Sequence, residues 1–197
     1  MPMIPALLLI VAAVAYRIVT GLAITSGTTW LSNFAPLAAI ALCGAAYLPT
    51  KFKFTVPLIA LFVSDLVLNL HYSATVFSPL MAGRYLALAV VCCLGLALAH
   101  RASWKTLLPA SLAGSVLFYV ITNIFAWLSD PGYVKNFAGF IQALTVGLPQ
   151  YSATPTWMFF RNSIVSDLLF TALFVLCMQW GRSSETSRAT SASLRTV

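Results

Sequence analysis

The sequence predicts an all-α fold, a polytopic membrane protein of six transmembrane helices, and three observations carry that expectation. Hydrophobic residues make up 60% of the chain and charged residues only 8%, and the mean hydropathy is +0.93. A soluble domain has too little interior to hide so much apolar surface. The third observation is spacing. Crossing roughly 30 Å of hydrocarbon takes about 20 mostly apolar residues, and the apolar runs approach that length and are set apart by turn residues. With 197 residues there is room for about six such spans and short connections, so residues 1–180 read as one transmembrane domain in contact with the lipid bilayer.

The first span covers residues 4–22. Ala13-Val14-Ala15 has the small-residue pattern of a signal-peptide cleavage site, but no Lys or Arg precedes the run, which argues for a retained span. The second, residues 33–48, is short and closes at Pro49, a residue that stops helices. Its small residues Ala35, Ala39, Ala41 and Ala45 suit close helix packing or a docking face. The third span, 54–70, follows the Lys51-Phe52-Lys53 turn, and the fourth, 84–99, ends at His100-Arg101. The fifth, 107–128, stops before Ser129-Asp130-Pro131-Gly132, a strong turn cluster. Residues 129–156 form the longest connection and hold an apolar stretch, 137–148, too short to cross, which fits a surface-lying or re-entrant helix. The sixth span is 157–180. The tail 181–197, rich in Ser, Thr and Arg, has too few apolar groups to order itself and is expected to be disordered.

Six spans put both termini on one side together with Lys51, Lys53, Arg101 and Lys105, and the tail adds Arg182, Arg188 and Arg195. Arg17, Arg84, Lys135 and Arg161 fall on the other. That bias predicts cytoplasmic termini. It also accounts for the net charge of +7, since the basic residues are scattered between apolar runs and form no patch for nucleic acid.

Cys43, Cys92, Cys93 and Cys177 lie inside apolar runs with no CxxC or Cys/His spacing, so neither a disulfide framework nor a metal site is expected. No phosphate-binding loop, HExxH or GxSxG motif is present, which argues against ATP hydrolysis, against an enzyme and for no cofactor.

Polar groups inside spans are costly and mark pathways, cavities or helix-locking pairs. Asp65 and Asp167 occupy matching tripeptides, Ser64-Asp65-Leu66 and Ser166-Asp167-Leu168. The third span runs outward and the sixth inward, so both carboxylates land in the external half, with Asn69, Asn123, Trp127, Arg161 and Asn162, and with Asn33 and Arg84 at the outer helix ends. The inner halves are nearly pure Leu, Ala, Val, Phe and Cys. The pattern is a cup open to the outside and sealed below. Arg17, Arg84 and Arg161 are the cations available to the two carboxylates, and which pairs with which stays open. Substrate contact competes here with a plain locking role for the carboxylates, and for Trp30, Trp127 and Trp157 with interfacial anchoring. His71 and Tyr72 sit in an external loop.

Certain stretches carry a resemblance: Asn33-Phe34-Ala35-Pro36-Leu37-Ala38-Ala39, Ser64-Asp65-Leu66, Arg84-Tyr85, residues 118–123 and residues 162–170. Over roughly residues 30–175 the chain resembles a family of small, uncharacterised bacterial membrane transport proteins. That family is in turn similar to the substrate-binding S components of energy-coupling factor vitamin transporters. The resemblance implies a six-helix S-component-like bundle in the bacterial cytoplasmic (inner) membrane. It also implies uptake of a vitamin-like or small organic solute, and docking to a transmembrane coupling subunit and two ATPases. One departure bears on the docking. S components commonly carry AxxxA in the first helix, whereas Ala12 and Ala13 are followed four positions later by Tyr16 and Arg17, so a solitary transporter stays open. A cobalamin-binding relative uses a cysteine ligand, but no cysteine falls in the outer half, and cobalt ligation is not expected. The alternatives to uptake are a nonenzymatic scaffold that binds other membrane proteins and an intramembrane enzyme using the two aspartates.

Overall fold

A computed structural model of the chain describes residues 3–23, 34–72 and 78–193. Among these the fold is wholly helical: α1 (Met3–Ala23), α2 (Leu37–Tyr47), α3 (Thr55–His71), α4 (Pro79–Leu98), α5 (Trp104–Ser129), α6 (Phe137–Leu144) and α7 (Thr156–Ser193), with single 3-10 turns at Thr50–Phe52 and Ala99–Arg101. Five of them, α1, α3, α4, α5 and α7, are long and apolar enough to cross a membrane. Their outward faces carry Leu8, Val11, Ile59, Phe62, Leu86, Leu112, Val165 and Leu169, all exposed. So continuous an apolar girdle suits lipid contact and not water, and the chain is a multi-pass membrane protein by length, composition and surface.

The helix ends follow local chemistry. Ser78 caps α4, accepting from the Met81 amide at 3.3 Å, and Pro79 takes the first helical position, where its missing N–H costs nothing. The helix therefore begins at residue 79, ahead of the expected residue 84. Ser103 and Thr106 form a reciprocal capping box at the start of α5. Asn136 caps α6 through the Gly139 amide at 2.9 Å. At the far end α7 continues to Ser193, beyond residue 180, where the sequence reading ends the span and begins a disordered tail; Arg182, Arg188, Ala189 and Ala192 in that stretch suit a helix.

The second apolar run departs most from expectation. Only Leu37–Tyr47 is helical, 11 residues, about 16 Å long at about 1.5 Å per residue against ~30 Å of hydrocarbon. Every residue from Ala38 to Tyr47 is buried, and α2 packs against α1, α3, α4, α5 and α7. It is the axle of the bundle. A helix apolar all round belongs in an interior, and small residues let neighbours close in. Ala39, Ala41 and Ala45 are fully buried, so they serve packing and present no free docking face. A Cβ on Gly95 of α4 would lie 2.3 Å from the Leu42 carbonyl oxygen, which measures how near the two backbones come.

Side-chain contacts fix the polarity of the bundle. Arg17 near the end of α1 meets Asp65 near the end of α3 and shares it with Arg84 near the start of α4. Tyr119 in the second half of α5 stacks on Phe160 at the start of α7, while Trp104 at the start of α5 donates to Gln179 far along α7 at 3.2 Å. Thus α1, α3 and α5 point one way and α4 and α7 the other. Between them α2 descends. Phe34 just before it touches Tyr16, and Gly44 near its end abuts Ile10 and Pro57.

The core lies below the middle of the bundle, built from Leu42, Leu61, Leu88, Val91, Cys92, Leu107, Phe174 and Val175. The connection after α5 folds back through α6, which packs on α5 and α7.

Candidate functional site: a cavity with two buried carboxylate centres

On α3 the 3.6-residue period brings Leu61, Ser64 and Asp65 onto one inward face, and all three are buried. Arg17, 8% exposed, donates through one nitrogen to Ser64 and through the other to Asp65 Oδ1 at 2.7 Å. Arg84 reaches the same Oδ1 at 3.3 Å. One carboxylate therefore serves two guanidinium groups. Asp65 Oδ2, Arg84 Nε and the Tyr85 hydroxyl, all buried, have no protein partner, so the cluster holds donors and acceptors to spare.

The second centre lies on α7. Asp167 accepts from the Ala39 backbone N–H at 2.9 Å and from the Ser115 hydroxyl at 2.8 Å. Ala39 is the third residue of α2, whose own N-cap, Pro36, offers no side-chain bond. Asp167 thus caps α2 from another helix, placing negative charge where the helix dipole is positive. Thr171, one turn further on, donates to Ser111 at 3.0 Å, so α2, α5 and α7 are pinned together.

Between the two centres opens a cavity of about 530 Å3, within the ~300–1,000 Å3 of pockets that hold small organic ligands. Arg17, Arg84 and Asp167 line it. Ser115, Tyr119, Thr122 and Ala126 of α5 also line it, a single face at helical spacing. Leu80 of α4 and Thr156, Phe159, Phe160 and Ser163 of α7 complete the walls. The connection after α5 contributes Tyr133, Gly147, Tyr151, Ser152 and Thr154. Burial pushes the Tyr133 phenol up, and Asp130 adds to this, so it stays a neutral hydroxyl. Gly147 sits at φ +73° with a would-be Cβ only 2.4 Å from Thr156 Oγ1, a turn that favours glycine on both counts. The Tyr119 hydroxyl donates to the Leu144 carbonyl, and the Trp127 indole donates to Val134 O at 3.0 Å. These bonds fasten the connection over α5.

The residues singled out from sequence separate into groups. Arg84, Asn123 and Asp167 line the cavity. Asp65 stands behind Arg17 and Arg84, which do. Trp127 holds the connection in place, touching Phe140 as well. Arg161 turns to Asn162 Oδ1 at 3.2 Å and lies over the Trp157 ring; neither it nor Asn162 nor Asn69 is among the lining residues. Asn33 lies outside the described residues, as do Trp30 and residues 73–77. The sequence reading passed over Ser115, Tyr119, Phe160 and the tyrosines of the connection. The 115/119/122/126 spacing was a signal available for the first two. No grouping of three or more His, Cys, Asp or Glu that could hold a metal occurs among the described residues.

A family model described as a family of unknown function (DUF6580) matches residues 2–189, and the chain belongs to that family. No curated protein and no solved structure matches.

Proposed function

We propose that this member of a family without an assigned function is a membrane transport protein that takes a small organic or vitamin-like solute into the cavity for uptake. The reading includes six passes, the second made by α2 and its flanking residues, with both termini cytoplasmic and the cavity facing outward from a bacterial cytoplasmic membrane. The observation that carries it is the cavity itself: about 530 Å3, confined to one end of a membrane bundle, walled by arginines, hydroxyls and aromatic rings, and closed beneath by a packed apolar core. The alternating direction of α1, α2 and α3 supports the six passes, and Lys51, Lys53, Arg101 and Lys105 in the connections at the other end support the orientation.

In this reading the protein binds and releases without bond-making chemistry. Coupling to an energy-coupling-type membrane subunit and ATPases belongs to the same proposal. Co-purification of such a module with the tagged chain supports it, and uptake by the chain expressed alone points to a solitary carrier. A locking role is favoured for the aspartates in particular, because each bridges three helices. Solute contact then falls mainly to the arginines and the α5 face.

The test is a thermal-shift screen of the detergent-purified protein against vitamins, their precursors and metal chelates, followed by uptake of any hit into cells. The expected result is a stabilising solute whose uptake depends on the protein. Both effects should vanish in Thr122→Trp, which fills the cavity with an indole. A folded protein that no solute stabilises, or a hit indifferent to Thr122→Trp, removes the cavity from the function.

A further inference from the structure

Resting on that cavity as a solute site, we propose that its ligand is an organic anion: a planar ring system bearing one carboxylate, with the carboxylate at Arg17 and Arg84 and the ring against the aromatic wall. The charge count comes first. Two guanidinium groups reach the cavity, and both lean on the single oxygen Oδ1 of Asp65, at 2.7 and 3.3 Å. Asp167, the acidic residue of the wall, pairs with neither guanidinium and is held at the second centre by the Ala39 amide and the Ser115 hydroxyl. Within the Arg17–Asp65–Arg84 cluster itself about one positive charge is left over, and charge in a low-dielectric site is costly to leave unmatched. Arg84 also keeps a buried Nε with no protein partner, so Asp65 does not use up the donors of this guanidinium.

A guanidinium edge matches a carboxylate in geometry as well as in sign, through two parallel N–H donors. Halide or sulfate would meet the same charge, but a cavity of about 530 Å3 is far larger than either. The rest of the wall selects against them too. Phe118, Tyr119, Tyr133, Tyr151, Phe159 and Phe160 all line it, and Tyr119 and Phe160 already stack at 4.3 Å and 21°. They present flat apolar faces that a ring covers in offset or edge-on contact. Asp167 retains unused lone pairs on both oxygens, so a ring N–H or amino group at the far end of the ligand is tolerated.

The probes are benzoate, indole-3-carboxylate and 2-naphthoate, each beside its neutral carboxamide, with decahydro-2-naphthoate as the non-planar control. Binding is measured by calorimetry on the full chain in phosphatidylcholine nanodiscs, which excludes competition from anionic headgroups. At least one ring carboxylate should bind about ten- to a hundredfold more tightly than its carboxamide. It should also bind several-fold more tightly than the saturated acid. Arg84→Gln leaves Asp65 its shorter pair with Arg17 and should collapse the carboxylate preference towards unity while the protein keeps its melting temperature within a few degrees. Carboxamides binding as well as the acids, or an acid preference unchanged in Arg84→Gln, overturn the anion assignment. The saturated acid binding as tightly as the aromatic one overturns the ring assignment. No binding by any probe overturns both. In each of these cases a cationic or ringless hit in the broader thermal-shift screen leaves the uptake reading standing, so the two failures are distinguishable.

Discussion

The same Ser-Asp-Leu tripeptide occurs in α3 and α7, and the fold answers its two carboxylates in opposite ways. Asp65 is met by two full charges from α1 and α4. Asp167 is met by dipoles alone, a backbone amide of α2 and a hydroxyl of α5. Both are almost completely buried, so burial is not the difference. What differs is what each leaves behind: the first centre has a surplus of positive charge facing the cavity, the second is satisfied and holds a helix end in place. A buried ion group that exceeds its counter-ion has charge left for a ligand, whereas a capped helix terminus has only geometry to offer.

Asparagine separates the two most sharply, because it keeps the shape and removes the charge. The largest effect is expected from Asp65→Asn, which leaves Arg17 and Arg84 facing each other without a counter-ion. Breaking a buried pair in this way costs about 3–5 kcal/mol, read as lost folded fraction in a detergent–SDS titration, and adding Arg17→Met should restore more than half of it. Next comes Asp167→Ala, which deprives the Ala39 amide and the Ser115 hydroxyl of their acceptor, for roughly 2–3 kcal/mol in the same titration. The smallest is Asp167→Asn, which still offers the Ala39 amide an oxygen and should cost about 1 kcal/mol. If Asp167→Asn proves as damaging as Asp65→Asn, the second centre also works by net charge and the contrast is lost.

Much of the architecture was open to reading from composition and run length, because a bilayer imposes one demand on every long helix and each satisfies it locally. The ends of α4 and α5 were harder: Ser78-Pro79 and Ser103 with Thr106 are capping signals that lie outside or at the margins of the apolar runs. Not legible at all was the start of α2 at Leu37 rather than at residue 33, since its cap lies on α7 and no local residue announces it. In the site, counting along helices placed Asp65, Asp167 and Asn123 at a common depth, but depth does not say which way a side chain faces. Asn69 and Arg161 share that depth and leave the cavity to others. Tyr119 and Phe160 were hidden for the opposite reason, as aromatic residues look the same in an apolar run whether they face lipid, core or ligand. That the long connection carries a short helix was legible in its apolar stretch; the contacts of Tyr119 with Leu144 and of Trp127 with Val134 that hold it over α5 are tertiary.

The dependence of α2 on Asp167 reaches into how the protein is made. The amide and the carboxylate that meet there are 128 positions apart, and an 11-residue helix gives an insertion machinery little to recognise by itself. While the ribosome is still producing α4 and α5, the amino end of α2 has no acceptor waiting for it. Final seating of this innermost segment is therefore expected only after the last helix has emerged, so that assembly of the bundle proceeds from its periphery towards its centre, against the order of synthesis.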